Sequence, residues 1–328
     1  MTGQGRRAVT PPGGTRSLAA AALALLPCVV LALAVCVGLS AGGCGEGVGT
    51  EAPAAALVDP AVTAETVAEI TYPPSPRADW YHVLAVLEEL REEPPSLPLV
   101  VLLGGSCGRE CTVSDEGWSA EVVAAGGPAV VARNLSSRNK TFRHDLDLVR
   151  LLPSTRVVVL IGVNLGRFTG WPTPGGRGPA SLPEDLEFRH DQHHYSLLRT
   201  WSAERRECAV RQWLRDRLHV FEARCGANLA MLERVVLACR DRGFEPALVE
   251  LPRDEEAIGG RFDAAVARYQ AGCRALAAAS GVPFIDFVDE VGLVSADFYD
   301  LMHLVEPGRV KWQRRLASAT AELLGEER

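Results

Sequence analysis

Lysine is almost missing from this chain. Of its 34 basic side chains only Lys140 and Lys311 are lysines, and the rest are arginines. An excess of positive charge is missing too: 41 acidic residues leave a formal net charge of -7 over 328 residues. A nucleic-acid binder needs a basic face to neutralise phosphates, so that class is set aside. The taste for Arg, Ala, Gly and Pro over Lys reads as GC-rich coding and carries no functional weight. Aromatic residues are scarce at 6%, but hydrophobic residues make up 47%, enough for a packed core and too many for wholesale disorder. There is no internal repeat. Nine cysteines are present without paired CxxC spacing, so a zinc site is not indicated by them. Three of them, Cys28, Cys36 and Cys44, fall near the N-terminus. The other six, Cys107, Cys111, Cys208, Cys225, Cys239 and Cys273, stand open between buried thiols and disulfides, since spacing alone does not choose a pairing.

What the first 45 residues do have is a long apolar run. Arg6, Arg7 and Arg16 precede a charge-free stretch whose core, Leu18–Leu39, is 22 residues long. That length suits a bilayer span, which needs about 20 apolar residues. The upstream arginines keep the N-terminus in the cytoplasm and send the remainder outside. The segment Ser40–Cys44 (SAGGC) resembles a bacterial lipoprotein cleavage site, with Cys44 as the lipidated residue. Residues 1–45 are therefore expected to be a signal anchor or lipoprotein leader, cleaved, lipidated or retained. Residues 46–77, rich in Ala, Val and Pro, read as a linker. The expected location is membrane-anchored and extracytoplasmic, and the source reads as bacterial.

From Ala78 to the C-terminus the pattern alternates. A helix is predicted over Ala78–Glu93, followed by a buried strand at Leu99–Gly104. Further strands are predicted at Pro128–Asn134, Thr155–Gly162, Glu245–Pro252 and Val282–Phe287, with helices between them. Two of these helices are expected over 206–221 and 228–243, the second closed by Gly243. Short apolar strands alternating with helices predict an α/β fold: a three-layer α/β/α sandwich around a five-stranded parallel sheet. Residues 164–205 interrupt the alternation with a stretch dense in Gly and Pro. A long insertion of this kind is expected to form a lid or substrate wall. It contains His190 and His194 in HDQHH, four residues apart. No glutamate stands between them in the zinc-protease pattern, which favours a polar lid over a metal site.

In a doubly wound sheet, ligands bind beyond the carboxyl ends of the strands. The residues just past each predicted strand are therefore informative. Strand one is followed by Gly104-Gly105-Ser106, strand two by NLSSRNKT (Asn134–Thr141) and strand three by Gly162-Val163-Asn164. Strand five leads through a short connection to DFYDLMHL, Asp297–Leu304. A serine, a histidine and an acid thus share one sheet edge. Asp300 and His303 are three residues apart and can face each other over one turn, so the carboxylate can orient the imidazole and the imidazole can take the serine proton. Asp297 is a rival acid six residues from His303. The sequons at Asn134 and Asn139 are taken as accidental, because a glycan at Asn139 would block this edge.

These blocks resemble those of the SGNH (GDSL-like) esterases and acyltransferases. The likeness runs from about Leu99 to the C-terminus, with a poorly matched middle. The resemblance implies a flavodoxin-like SGNH fold. GGS resembles the first block and makes Ser106 the nucleophile. GVN resembles the third and makes Asn164 an oxyanion-hole donor. DLMH resembles the fifth, D-x-x-H, with Asp300 and His303 completing the triad. The backbone N–H of Ser106 and that of Asn139, at the second block, would complete the oxyanion hole. The chain departs from the family pattern at Gly105, where aspartate is usual, at Asn139, where glycine is usual, and at Leu165, where aspartate is common. Asn139 is expected to need a left-handed backbone, which Asn tolerates better than most residues.

The resemblance implies a membrane-tethered serine ester hydrolase without metal or organic cofactor. Its substrate would be an ester or an acylated cell-envelope glycan, with water or a sugar hydroxyl as acceptor. A catalytically silent cell-surface binding module on the same fold is the alternative, and the altered first and second blocks are its support.

Overall fold

The computed structural model describes residues 76–170 and 200–325, with side chains from residue 82 onward. The expected leader and most of the linker lie outside these residues. Most of the insertion does too, including the histidine cluster at 190–194. Among the described residues no helix is long and apolar enough to cross a membrane.

Helix α1 (Pro76–Glu92) leads into β1 (Leu99–Leu103), and β1 runs directly into a single helical turn, α2 (Ser106–Arg109). Then come α3 (Asp115–Ala124), β2 (Val131–Asn134), α4 (Phe142–Leu151) and β3 (Val157–Val163). A 3-10 turn at Leu165–Thr169 follows β3. Beyond the insertion lie α5 (Ala203–Asp216), α6 (Leu218–Asp241), β4 (Glu245–Glu250), α7 (Glu255–Ile258) and α8 (Asp263–Ser280). The chain ends with β5 (Phe284–Ile285) and α9 (Glu306–Gly325).

All four strand pairings are parallel, and the order across the sheet is β2-β1-β3-β4-β5. That is the flavodoxin-like doubly wound order, and it gives the three-layer α/β/α sandwich expected from the sequence. The strands lack an alternating apolar–polar pattern because both faces are covered. Leu99, Val101 and Leu103 of β1 pack with α1, α4, α6 and α8, while Val100 and Leu102 pack with α3 and α9. Every side chain of β1 and β3 is buried. Each such aliphatic residue contributes about 1.5–3 kcal/mol relative to exposure.

Local chemistry sets the element ends. Ser114 accepts a hydrogen bond from Gly117 N–H at 2.9 Å and caps α3. At the start of α4 the Thr141 N–H donates to His144 Nδ1 at 3.1 Å. Gly243, at φ 71°, closes α6. Its N–H reaches the Arg240 carbonyl and that of Phe244 reaches Cys239, which is the Schellman arrangement.

Some details differ from the sequence expectation, and one open alternative is decided. The predicted helices at 206–221 and 228–243 are instead divided at Arg217, and α6 runs for 24 residues from Leu218. The residues 222–227 between them form no loop; EARCGA carries no strong helix breaker beyond Gly226, and that glycine is tolerated inside a long packed helix. The last strand is only two residues long. It lies at the edge of the sheet and pairs with β4 alone. The six described cysteines are free thiols, five of them buried, which is the thiol branch of the two left open.

Candidate active site

The sheet brings Ser106, His303 and Asp300 together at its carboxyl edge. Ser106 is the first residue of α2, directly beyond β1. The two preceding glycines do different jobs. A Cβ on Gly104 would lie 2.8 Å from Ser136 Oγ and 3.2 Å from Gly108 Cα, so only glycine fits. Gly105 is the N-cap, with φ −79°, and a Cβ there would meet nothing closer than 3.7 Å. The close packing of the turn therefore rests on Gly104.

His303 arrives from the far end of the chain. Its Nε2 lies 2.8 Å from Ser106 Oγ and its Nδ1 lies 2.7 Å from Asp300 Oδ2. A carboxylate at Nδ1 keeps the neutral-ring proton there, which leaves Nε2 to accept the serine O–H. The other oxygen, Asp300 Oδ1, accepts the backbone N–H groups of Met302 and His303 at 2.9 Å each. Burial alone would raise the Asp300 pKa, but the His303 charge and these hydrogen bonds outweigh it and hold the carboxyl below its usual range. Burial alone would lower the His303 pKa; Asp300 outweighs it and raises the imidazole above its ordinary value. Asp297, the rival acid, is occupied elsewhere: its Oδ2 accepts from Lys311 Nζ at 2.7 Å and from Val294 N–H at 3.0 Å.

The loop carrying His303 is anchored on several sides. Arg206 of α5 donates to the carbonyls of Ser295 and Phe298 at 2.6 and 3.0 Å. Ser295 Oγ donates to Asp254 Oδ1 at 2.7 Å, and the Asp254 N–H reaches the Leu301 carbonyl at 2.9 Å. Arg309 Nη1 donates both to Glu110 Oε2 at 2.7 Å and to the Leu304 carbonyl at 2.9 Å. Glu110 is the C-cap of α2 and Leu304 is the residue after His303, so one buried guanidinium joins the serine turn to the histidine loop.

Asn164 is buried at the end of β3 and caps the 3-10 turn by accepting the Arg167 N–H at 3.0 Å. Its side chain counters part of the burial effect on the thiol of Cys107, the residue after Ser106. Asn139 has φ 60°, the sole left-handed non-glycine among the described residues, as its place in a glycine position requires. Its loop packs on the serine turn, with the Ser137 N–H donating to the Gly104 carbonyl at 3.2 Å. Burial pushes the Cys107 thiol up to about 12, so it stays protonated.

Sequence reasoning missed the supports. Asn134 is buried, and its side-chain NH2 donates to the Gly108 carbonyl and to Thr112 Oγ1, both at 2.9 Å, which steadies the end of α2. The pair Glu110–Arg309 and the cluster Lys140–Asp145–Arg167 were missed as well. Their partners lie far apart in sequence or look like ordinary surface charges. The one available hint was Lys140, one of two lysines in the chain and placed in a strand-end loop.

No family model matches the chain, and no curated protein matches it in sequence. Several solved structures do match. TesA shares 15% identity with a TM-score of 0.43, over 69% of this chain and 99% of its own. A Streptococcus pneumonia protein provisionally described as a platelet activating factor shares 12% identity, TM-score 0.44, over 75% and 92%. A Lactobacillus plantarum protein shares 14% identity, TM-score 0.40, over 70% and 98%.

Proposed function

We propose that this protein is an SGNH-type serine ester hydrolase. The observation that carries the reading is the hydrogen-bonded line Asp300–His303–Ser106, with contacts of 2.7 and 2.8 Å. In the proposed reaction Ser106 Oγ attacks the acyl carbonyl while its proton passes to His303 Nε2. Asp300 stabilises the imidazolium that forms. The negative charge on the carbonyl oxygen is met by the N–H groups of Ser106 and Asn139 and by the Asn164 amide. Ser106 opens a helical turn, where N–H groups have no partner within the helix, so its own N–H is available for this purpose. His303 then returns the proton to the leaving alkoxide, the C–O bond breaks, and an acyl-serine ester remains. Water, activated by His303, releases the acid; a sugar hydroxyl in the same position would instead receive the acyl group. Wild type should turn over a short-chain aryl ester, and Ser106→Ala or His303→Ala should each lose about 10³-fold or more. Full activity in Ser106→Ala would overturn the reading.

The place of action belongs to the same proposal. The arginine-flanked apolar run at Leu18–Leu39 supports a membrane tether with the enzyme outside, where acylated cell-envelope glycans are the accessible esters. Protease added to intact cells should release the esterase activity; activity that stays protected inside would sink the tether.

A further inference from the structure

The two asparagines assigned to the oxyanion hole sit on different loops, one after β2 and one after β3. Buried side chains join these loops. Asp145, in the first turn of α4, is wholly buried. Its Oδ1 lies 3.0 Å from Lys140 Nζ, and its Oδ2 accepts from Arg167 Nη2. Lys140 directly follows Asn139. Arg167 lies in the 3-10 turn that Asn164 opens, and its backbone N–H holds Asn164 Oδ1 at 3.0 Å. That bond fixes the oxygen end of the amide and so the plane in which its NH2 lies.

The same two cations are tied down further and lie beside the turn that carries Ser106. Lys140 Nζ donates to the Leu135 carbonyl, and Arg167 Nη1 donates to the Gly162 carbonyl at 2.6 Å. The Arg167 guanidinium also lies 4.0 Å over the Phe142 ring. The Lys140 carbonyl and Arg167 Cγ stand 3.7 and 3.8 Å from where a Cβ on Gly105 would be, next to Ser106. The loops after β2 and β3 thus meet on one carboxylate. The two cations and the carboxylate are buried together, so each holds the others in place far more firmly than an exposed pair would.

Resting on the esterase reading, we propose that Asp145, Lys140 and Arg167 are positioning residues that hold the two oxyanion loops in register. None of the three touches substrate; each acts through Asn139 or Asn164. Burial lowers the Lys140 pKa to about 8 while Asp145 opposes it, as expected for a lysine kept in place by that carboxylate.

A merely structural cluster would affect stability without coupling to Asn164. A double-mutant cycle separates the two. The kcat and KM of full-length wild type, Asp145→Asn, Lys140→Met, Asn164→Ala and the two doubles with Asn164→Ala would be measured on an aryl acetate, below each variant's melting temperature. Asp145→Asn and Lys140→Met should each lower kcat about 10- to 100-fold with KM nearly unchanged, the size expected when reacting groups are misplaced by about 1 Å. In the Asn164→Ala background each should cost only about threefold, because the group they orient is gone. Equal losses in both backgrounds, or losses confined to KM, overturn the proposal. If Asp145→Asn does not fold, Lys140→Met, which leaves the Asp145–Arg167 pair intact, decides the case. A wild type without turnover overturns the esterase reading and this inference together; an active wild type with additive losses overturns this inference alone.

Discussion

At the scale of single residues, the site depends on atoms too close for any change. A Cβ at Gly104 would press on Ser136 Oγ at 2.8 Å, whereas one at Gly105 would make ordinary contacts at 3.7 Å. Gly104→Ala should therefore cost about 1–3 kcal/mol of stability, as overpacking does. Gly105→Ala should stay within about 0.5 kcal/mol. Denaturant midpoints of the two variants check this, and equal losses would contradict the assigned packing. His303 offers a second residue-scale test. Its charged form is favoured by Asp300, so its pKa is raised. A general base must be neutral, so the acid limb of kcat/KM should inflect above about 6.5, the ordinary histidine value. Asp300→Asn should move that inflection down. The stability linkage has the opposite sense: a raised folded-state pKa contributes stability that is fully present below about 6.5 and fades as pH rises through the folded value. An acid limb unmoved by Asp300→Asn would contradict the assigned pair. The glycines and Ser106 were legible in the sequence because they stand just beyond a strand, and Asp300 and His303 because they form an acid–histidine pair three residues apart in the connection after β5. What was not legible is the difference between the two glycines, which depends on Ser136 and Gly108 approaching in space.

At the scale of elements, the Arg309–Glu110 pair ties α9 to the end of α2. Both side chains are nearly inaccessible, so loss of one partner strands the other charge in the core. Arg309→Met and Glu110→Gln should each cost about 3–5 kcal/mol, and the double variant should recover part of that loss. Thermal or denaturant unfolding of the three variants tests the coupling, and strictly additive losses would contradict it. Strands β1, β3 and β4 were legible as apolar runs of buried-sheet length, and β2 as the end of a longer run. The break at Arg217 was not, because RDRLHV carries no glycine or proline and the split is a product of packing. The buried ion pairs were hidden for a related reason: a charged residue in sequence reads as a solvated face, and only the tertiary fold reveals a partner 199 positions away.

At the scale of the whole molecule, a parallel sheet of order β2-β1-β3-β4-β5 gathers the ends of distant chain segments on one edge. Ser106 stands after β1, and the long connection after β5 carries His303 back across β4 and β3 to meet it. Fold does not establish activity, since one architecture hosts many functions; the site has to be tested directly. The measurement that does so is the intact mass and peptide map of the protein after exposure to a fluorophosphonate. Only an activated serine reacts. Wild type should gain one phosphonyl group mapping to Ser106, while Ser106→Ala and His303→Ala should gain none under the same conditions. A wild type that takes up no label, or a label that maps elsewhere and survives in Ser106→Ala, would contradict the account.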